Sequence, residues 1–224
     1  KNNLVGTVSH ELKTPLTGLR LSVYLLLESN LGPLTPDQRE LLETARDGAD
    51  RLLRIINDLL DLSRLEAGVS ALHRSRVPLP ELLAEMAREM RPLVEAAGQA
   101  IVIDCPDETV GVWVDRDRIR HVFINLLSNA SKYSPEGGTI TLYATASDPG
   151  FARCGVRDRG PGIEPESAAR VFDRFYRVPG QTKVGAGLGL TIAREIVVAH
   201  GGSIACTSEV GVGSDFYFML PRAD

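Results

Sequence analysis

A chain of 224 residues, with 43% hydrophobic and 24% charged residues, has enough apolar material for one large domain or two small ones. Its formal net charge of -4 gives no overall basic character for nucleic-acid binding, so we expect no nucleic-acid partner. No apolar run reaches the roughly 18 residues of a membrane span, and the three cysteines lack the spacing of metal ligands.

The first third of the chain predicts two helices joined by a turn. Apolar residues recur every three or four positions on both sides of a break at residues 29–33. Thr35 is expected to cap the second helix, with Pro36 at its first position. Two such helices form an antiparallel hairpin, and pairing two copies into a four-helix bundle would bury its broad apolar face. We therefore expect a homodimer through this hairpin.

From residue 77 onward the pattern changes to short strands and helices. The expected elements are a helix at 79–97, strands at 100–105 and 111–114, a helix at 115–133, strands at 139–146 and 151–157, a short helix within 158–187, a helix ending at 200, and strands at 202–207 and 214–220. Because most strands come in adjacent pairs, we expect a mixed sheet covered by helices on one face. The sequence thus predicts an α + α/β chain, with a helical hairpin at 1–76, an α/β sandwich at 77–224 and a hinge near 75–80.

One histidine of the first helix has unusual neighbours. His10 falls opposite the apolar stripe on a helical wheel, with Glu11 beside it and Thr14 one turn further on. Pro15 removes a backbone hydrogen bond and should loosen the helix there. A neutral imidazole is a good nucleophile, and an adjacent carboxylate can accept its proton. A zinc-protease reading fails because position 14 is threonine rather than a second histidine. A solvated surface histidine remains the simple alternative.

The predicted helix at 115–133 carries polar residues at regular spacing. Asn125, Asn129 and Lys132 lie at i, i+4 and i+7, so they share one face. Asparagine is a poor helix former, so two on one face need a reason. Amide oxygens and a lysine in line suit Mg²⁺ and phosphate groups.

Two glycine runs frame the irregular part of the chain. The run DRGPGI at 158–163 comes directly after a predicted strand, and GAGLGL at 185–190 opens a predicted helix. Glycines there let backbone N–H groups approach phosphate at a helix N-terminus. A Rossmann reading is disfavoured because the second run follows a long irregular stretch, and the Walker A pattern of P-loop enzymes is missing from the sequence.

Together these runs resemble the catalytic core of sensor histidine kinases. The segment SHELKTPLT at 9–17 resembles their phosphoacceptor box, and FDRFYR at 172–177 resembles their phenylalanine box. The asparagine and glycine runs resemble the ATP-binding domain that these kinases share with DNA gyrase B, Hsp90 and MutL. The resemblance implies a protein histidine kinase that uses ATP and Mg²⁺, phosphorylates His10 and passes the phosphoryl group to an aspartate of a response regulator. It also implies phosphatase activity toward that regulator.

The resemblance assigns roles residue by residue. His10, Glu11 and Thr14 would be catalytic, and Asn129 would be the Mg²⁺ ligand. The residues expected to bind ATP are Asn125, Lys132, Tyr133, Asp158, Gly160, Gly162, Ile163, Arg174, Gly185, Gly187, Leu188 and Gly189. Arg177 stands as an alternative to Arg174 for contact with the γ-phosphate, and Phe172 and Phe175 are expected to anchor a lid.

A receiver domain is the expected partner of the first helix. Leu21 lies almost opposite the apolar stripe, with Tyr24 and Leu25 beside it, about 16–22 Å from His10 at about 1.5 Å per residue. We expect the regulator to dock near His10, Leu21 and Tyr24. Scattered surface hydrophobic residues are the alternative.

Two other functional classes compete with this interpretation. An ATPase of the gyrase or Hsp90 type is disfavoured by the His10 box and the phenylalanine box, and a non-catalytic scaffold by the presence of His10, Asn129 and Asp158. The chain starts inside a helical pattern, so we expect an N-terminal sensor region before it. Any membrane contact would be made by that region, with this portion in the cytoplasm and the full-length protein in the bacterial inner membrane.

Overall fold

The computed structural model describes residues 2–28, 32–66, 72–106, 110–147, 150–181, 183 and 185–223. Within these ranges the side chains of residues 2–11, 64 and 66 lie outside the description. The chain forms two compact units, Lys1–Ser70 and Ala71–Asp224, each of which is described by itself. None of the described helices is long and apolar enough to span a membrane.

The first unit consists of two long helices, α1 (Asn2–Glu28) and α2 (Pro36–Glu66). Thr35 Oγ1 accepts from the Gln38 N–H at 3.2 Å, and Gln38 Oε1 accepts from the Thr35 N–H at 3.0 Å. This reciprocal pair is a capping box, so the predicted cap is confirmed. The two helices pack together, with Arg20 and Asp50 joined across them at 3.4 Å.

The apolar face of the first unit is only partly covered within one chain. The buried side chains of this unit are Val23 on α1 and Ala49, Ile56, Leu60 and Leu62 on α2. The leucines at positions 12, 19 and 26, spaced by seven residues along α1, are 50%, 51% and 42% exposed. The predicted stripe therefore divides into a buried line facing α2 and an open line of leucines.

The second unit contains seven strands and four helices among the described residues. The strands are β1 (Ser75–Pro78), β2 (Ala100–Asp104), β3 (Gly111–Val114), β4 (Thr139–Ala146), β5 (Phe151–Asp158), β6 (Ser203–Glu209) and β7 (Gly213–Pro221). The helices are α3 (Leu79–Ala96), α4 (Arg116–Tyr133), α5 (Pro165–Ala168) and α6 (Gly189–Ala199). β1 and β3 form a small antiparallel sheet, and the main sheet has the order β2-β4-β5-β7-β6.

The main sheet is mixed and is covered by helices on one face. β2 pairs with β4 in parallel, and the other pairings are antiparallel. Residues alternate along β7, so that Phe216, Phe218 and Leu220 are buried while Asp215 and Tyr217 are only half-buried. Phe218 packs against Phe123 of α4 with ring centroids 5.1 Å apart. The predicted fold class, helices followed by a mixed sheet with helices on it, is confirmed.

Strand β1 was not expected from the sequence. Val77 pairs with Val112, and both side chains are buried, whereas the other β1 residues offer a short polar segment ending in proline. Residues 75–78 of the expected hinge lie in this pairing, and the hinge stays a prediction. The proposed boundary between residues 76 and 77 also falls inside β1, which belongs wholly to the second unit.

Candidate nucleotide-binding site

Helix α4 presents the expected polar face above a buried apolar face. Asp115 caps the helix, since its Oδ1 accepts from the Arg118 N–H at 3.2 Å. The apolar residues of the opposite face are all buried: Ile119, Val122, Phe123, Leu126 and Ala130. Asn125, Asn129 and Lys132 are half-buried on the other side of the helix.

Asn125 carries an unsatisfied donor next to the last glycine run. Its Nδ2 is buried and has no hydrogen-bond partner among the described residues. A Cβ added at Gly189 would lie 3.1 Å from Asn125 Oδ1, so the start of α6 lies against this amide. A buried donor without an acceptor costs about 1–3 kcal/mol. A ligand oxygen that accepts from Asn125 Nδ2 would remove that cost. Asn129 lies one turn further along the same face of α4.

The C-terminal end of α4 gathers positive charge. Lys132 Nζ lies 4.9 Å from the ring centroid of Tyr133, and a Cβ added at Gly185 would lie 3.1 Å from the same Nζ. The Lys183 ammonium donates to the Lys132 carbonyl and lies 5.9 Å from the Tyr133 ring. Lys183 was not among the predicted site residues, because a lysine in an irregular stretch gives no local signal. Two lysines beside one tyrosine favour an anionic ligand.

Asp158 ends β5 as a buried carboxylate. It is 6% exposed, and its Oδ1 accepts from the Gly160 N–H at 2.8 Å and the Ser214 N–H at 3.3 Å. Burial raises the pKa of Asp158 above its ordinary value, and Asp215 acts in the same direction, while the two N–H groups oppose the shift. The carboxylate can accept a further hydrogen bond from a ligand donor.

The two glycines of the first run, Gly160 and Gly162, pack too closely for a side chain at either position. Gly162 has φ +73°, and a Cβ there would lie 2.0 Å from the Glu209 carbonyl oxygen. A Cβ at Gly160 would lie 2.8 Å from Asp158 Oδ1 and 3.1 Å from the Tyr133 carbonyl oxygen. These contacts bring the run beside the end of α4, and the N–H of its last residue, Ile163, donates to Ser208 of β6.

The phenylalanine run is tied to the last glycine run. The Phe172 ring is buried 6.3 Å from the Phe216 ring, and the Phe172 carbonyl accepts from Thr191 Oγ1 at 3.0 Å. Phe175 has φ +60°, which is strained for a bulky residue, and its N–H donates to the Gly187 carbonyl at 2.9 Å.

Two arginines of this run have different surroundings. The Arg177 guanidinium donates to the carbonyls of Gln181 and Lys183 at 3.1 and 2.8 Å, so it holds the loop that leads to the glycine run. Arg174 lies exposed on the preceding turn. Arg174 and Arg177 are both exposed, and which of them contacts the γ-phosphate stays a prediction.

Two serines join the site that sequence reasoning did not single out. Ser208 Oγ accepts from the Ile163 N–H at 2.8 Å and lies 2.9 Å from Ser214 Oγ. Ser214 pairs with Asp158 in the sheet register, and its N–H holds the carboxylate. Single hydroxyls in strands resemble ordinary surface residues, so only the register reveals them.

The structure thus brings three separate sequence runs together. The asparagine face of α4, the run at 158–163 and the start of α6, together with buried Leu188 and half-buried Gly187 just before it, line one region of the second unit. In the first unit Thr14 is exposed on α1, as are Leu21, Tyr24 and Leu25. α1 includes positions 10 and 11, but the side chains of His10 and Glu11 lie outside the described residues.

Comparison with known proteins gives matches over both units. Residues 114–224 match the family described as histidine kinase-, DNA gyrase B-, and HSP90-like ATPase. Residues 1–68 match the His Kinase A (phospho-acceptor) domain. The two matches fall in the two compact units in the order expected from the sequence.

Similar proteins extend over nearly the whole chain. The alginate biosynthesis sensor protein KinB of Pseudomonas aeruginosa is 37% identical over 221 residues, which cover 99% of this chain and 37% of KinB. The structure of full-length ShkA in complex with AMPPNP has a TM-score of 0.85 at 35% identity, over 100% of this chain and 46% of that chain. The catalytic domain of histidine kinase ThkA has a TM-score of 0.60 at 30% identity, over 67% of this chain and 96% of that chain. The chain therefore spans less than half of KinB and of ShkA.

Proposed function

The chain belongs to the histidine kinases, and we propose that it transfers the γ-phosphoryl group of ATP to His10 and then to an aspartate of a response regulator. The observation that carries this proposal is the convergence of Asn125, Lys132, Asp158 and the start of α6 in one region. The match of residues 1–68 to a phosphoacceptor domain supports His10 as the acceptor.

ATP would lie between α4, the run at 158–163 and the start of α6. The adenine amino group would donate to Asp158, whose Oδ1 is already held by two backbone N–H groups. Tyr133 would stack on the base, and Gly160 and Gly162 would shape the pocket around it. Lys132 and the N–H groups near Gly187 would bind the phosphates, because the start of α6 favours negative charge.

The residues on α4 fit a magnesium ion held mainly by the nucleotide. Within the described part of the chain, no cluster of three or more histidine, cysteine, aspartate or glutamate side chains could hold a metal ion. Mg²⁺ often uses one or two protein oxygens plus substrate phosphates, and Asn129 offers an amide oxygen on the open face of α4. The buried Nδ2 of Asn125 needs an acceptor, which a phosphate oxygen would supply. Bound Mg²⁺ would neutralise the phosphate charge.

The acceptor chemistry follows from His10 and its neighbours in the sequence. One ring nitrogen of neutral His10 attacks the γ-phosphorus, the bond to the β-phosphate oxygen breaks, and ADP leaves. Glu11 accepts the proton from the other nitrogen and orients the ring. Positioning and charge neutralisation supply most of the rate enhancement. Thr14, exposed one turn away, would position water for the reverse step on the phosphorylated regulator.

The open line of leucines on α1 supports a homodimer. Leu12, Leu19 and Leu26 repeat every seven residues and are about half exposed in one chain. Two hairpins would bury these leucines in a four-helix bundle. On another part of α1, exposed Leu21 and Tyr24 form the proposed docking surface for the receiver domain. By the sequence argument, the handedness of the connection at residues 29–36 would decide whether His10 receives phosphate from its own subunit or from its partner.

Incubation with γ-labelled ATP and Mg²⁺ tests the proposal. We expect label on the protein that is stable to base and labile to acid, and peptide mapping should place it at position 10. His10→Gln should abolish the label and leave ATP affinity within about twofold, because His10 lies outside the nucleotide unit. Free phosphate without labelled protein would indicate an ATPase instead. Loss of ATP affinity in the His10 variant would contradict separate acceptor and nucleotide sites.

A further inference from the structure

His200 follows the last residue of α6, and both of its ring nitrogens are hydrogen-bonded. The residue is 1% exposed. Nε2 accepts from the Asp115 backbone N–H at 3.0 Å, so Nδ1 carries the proton and donates to the Ile196 carbonyl at 2.7 Å. Burial lowers the pKa of His200, and the positive charges of Arg74 and Arg118 lower it further. The Ile196 carbonyl and Asp115 raise the pKa and oppose this shift. His200 is therefore a neutral link, in one tautomer, between α6 and the residue before α4.

The same group holds the connector, which we define as residues 72–74. Asp115 Oδ2 accepts from the His73 backbone N–H at 3.0 Å, while its Oδ1 caps the first turn of α4. The Arg74 guanidinium donates to the Ala199 carbonyl at 2.8 Å, which satisfies one of the open carbonyls at the end of α6. The connector is therefore attached both to the start of α4 and to the end of α6.

These two helices are the ones that meet at the proposed nucleotide site. α4 carries Asn125 and Lys132 in its second half, and α6 begins at Gly189, beside the Asn125 amide. The connector is attached at the opposite end of each helix. A shift of either helix upon nucleotide binding would therefore act directly on the connector. The connector follows the helical hairpin in the chain, and α1 of that hairpin includes position 10.

Resting on the proposed function, we propose that His200 is a positioning residue which, with Asp115 and Arg74, anchors the connector to both nucleotide-site helices and thereby sets the rate of His10 phosphorylation. An anchored connector restricts the arrangements that the His10 helix can sample relative to bound ATP. Such restriction raises the effective concentration of the acceptor at the γ-phosphate. This effective concentration depends strongly on how the reacting groups are positioned. The three residues of the anchor lie at the ends of α4 and α6 that are remote from the proposed nucleotide site. The anchor therefore acts on the transfer rate and not on the affinity for ATP.

Arg74 gives the cleanest test, since it is exposed and its removal leaves the core intact. In the full chain, Arg74→Ala should lower the autophosphorylation rate at saturating ATP at least about fivefold and change the affinity for AMPPNP less than twofold. Arg74→Lys keeps a donor for the Ala199 carbonyl and should restore most of the rate. Arg91→Ala, which removes an exposed arginine from α3, is the matched control and should behave like the wild type.

A pair of substitutions at His200 tests the other half of the anchor. His200→Gln keeps one acceptor and one donor, and His200→Leu removes both, so the leucine variant should lose more rate than the glutamine variant. Thermal unfolding of both variants shows whether they fold. If Arg74→Ala behaves like Arg91→Ala, the anchor has no role in transfer. If AMPPNP affinity falls in proportion to the rate, the contacts only maintain the nucleotide site, and the inference is wrong. A wild-type chain that binds no AMPPNP would instead refute the proposed function.

Discussion

Asp158→Asn isolates the proposed recognition of adenine. The substitution keeps the shape of the side chain and an oxygen that can accept from the Gly160 and Ser214 N–H groups. It replaces the other carboxylate oxygen by an amide NH₂ group. That group is a donor, and it would face the donating amino group of adenine. The change therefore removes one ligand hydrogen bond and sets two donors against each other, without opening a cavity.

The size of the loss follows from the kind of bond that is removed. A hydrogen bond to a charged group contributes about 1.5–3 kcal/mol, and about 1.4 kcal/mol corresponds to a factor of ten in affinity. We therefore expect ATP to bind about 10- to 150-fold more weakly. Guanine has a carbonyl where adenine has its amino group, so the new amide should reduce the preference for ATP over GTP.

Calorimetric titration with AMPPNP and its guanine analogue measures both effects. Thermal unfolding is the companion measurement, because burial raises the pKa of Asp158 and the ionised side chain is therefore costly to the fold. The neutral asparagine should leave stability at pH 7 equal or higher. Asp117→Asn, at an exposed position in the first turn of α4, is the control for charge removal. Unchanged ATP affinity in a folded Asp158→Asn variant would refute the assignment of Asp158 to adenine.

Three further substitutions test other parts of the chain. Asn129→Asp should weaken Mg²⁺-dependent ATP binding at least about tenfold, because it adds negative charge near the triphosphate; normal autophosphorylation would mean that the metal is held elsewhere. Leu21→Arg should leave autophosphorylation nearly unchanged and slow transfer to the cognate regulator at least about tenfold. An equal effect of Leu41→Arg, at an exposed position of α2, would exclude a specific docking surface. Burial, reinforced by a neighbouring aspartate, raises the pKa of Asp58 to about 6, so its ionised form destabilises the hairpin above that pH. Asp58→Asn should therefore raise the hairpin Tm at pH 7.5 by about 4–8 °C, assuming about 1 kcal/mol after allowance for partial exposure. The gain should disappear as the pH falls from about 6 toward 4, the ordinary range of an aspartate. Asp47→Asn, at an exposed position, is the control for removal of a carboxylate and should leave the Tm at pH 7.5 nearly unchanged.

The sequence by itself determined the elements whose signals are local. The helix pair, the cap at Thr35 and the buried face of α4 all follow from spacing within a few residues. The order of the motifs was enough to identify the family, because each motif is a contiguous run of residues that can be recognised without knowing the tertiary structure. The roles of His10 and Glu11 still rest on this sequence argument alone, since their side chains lie outside the described residues.

Only the tertiary structure decided which distant residues meet. β1 exists because Val77 pairs with Val112, and a four-residue polar segment with a proline carries too little pattern to predict that pairing. The sheet register places Ser214 beside Asp158, and the fold brings Lys183 to the end of α4. The attachment of the connector to α4 and α6 through His200 is likewise invisible in the sequence, because such contacts form only when strands and helices far apart in the chain pack together.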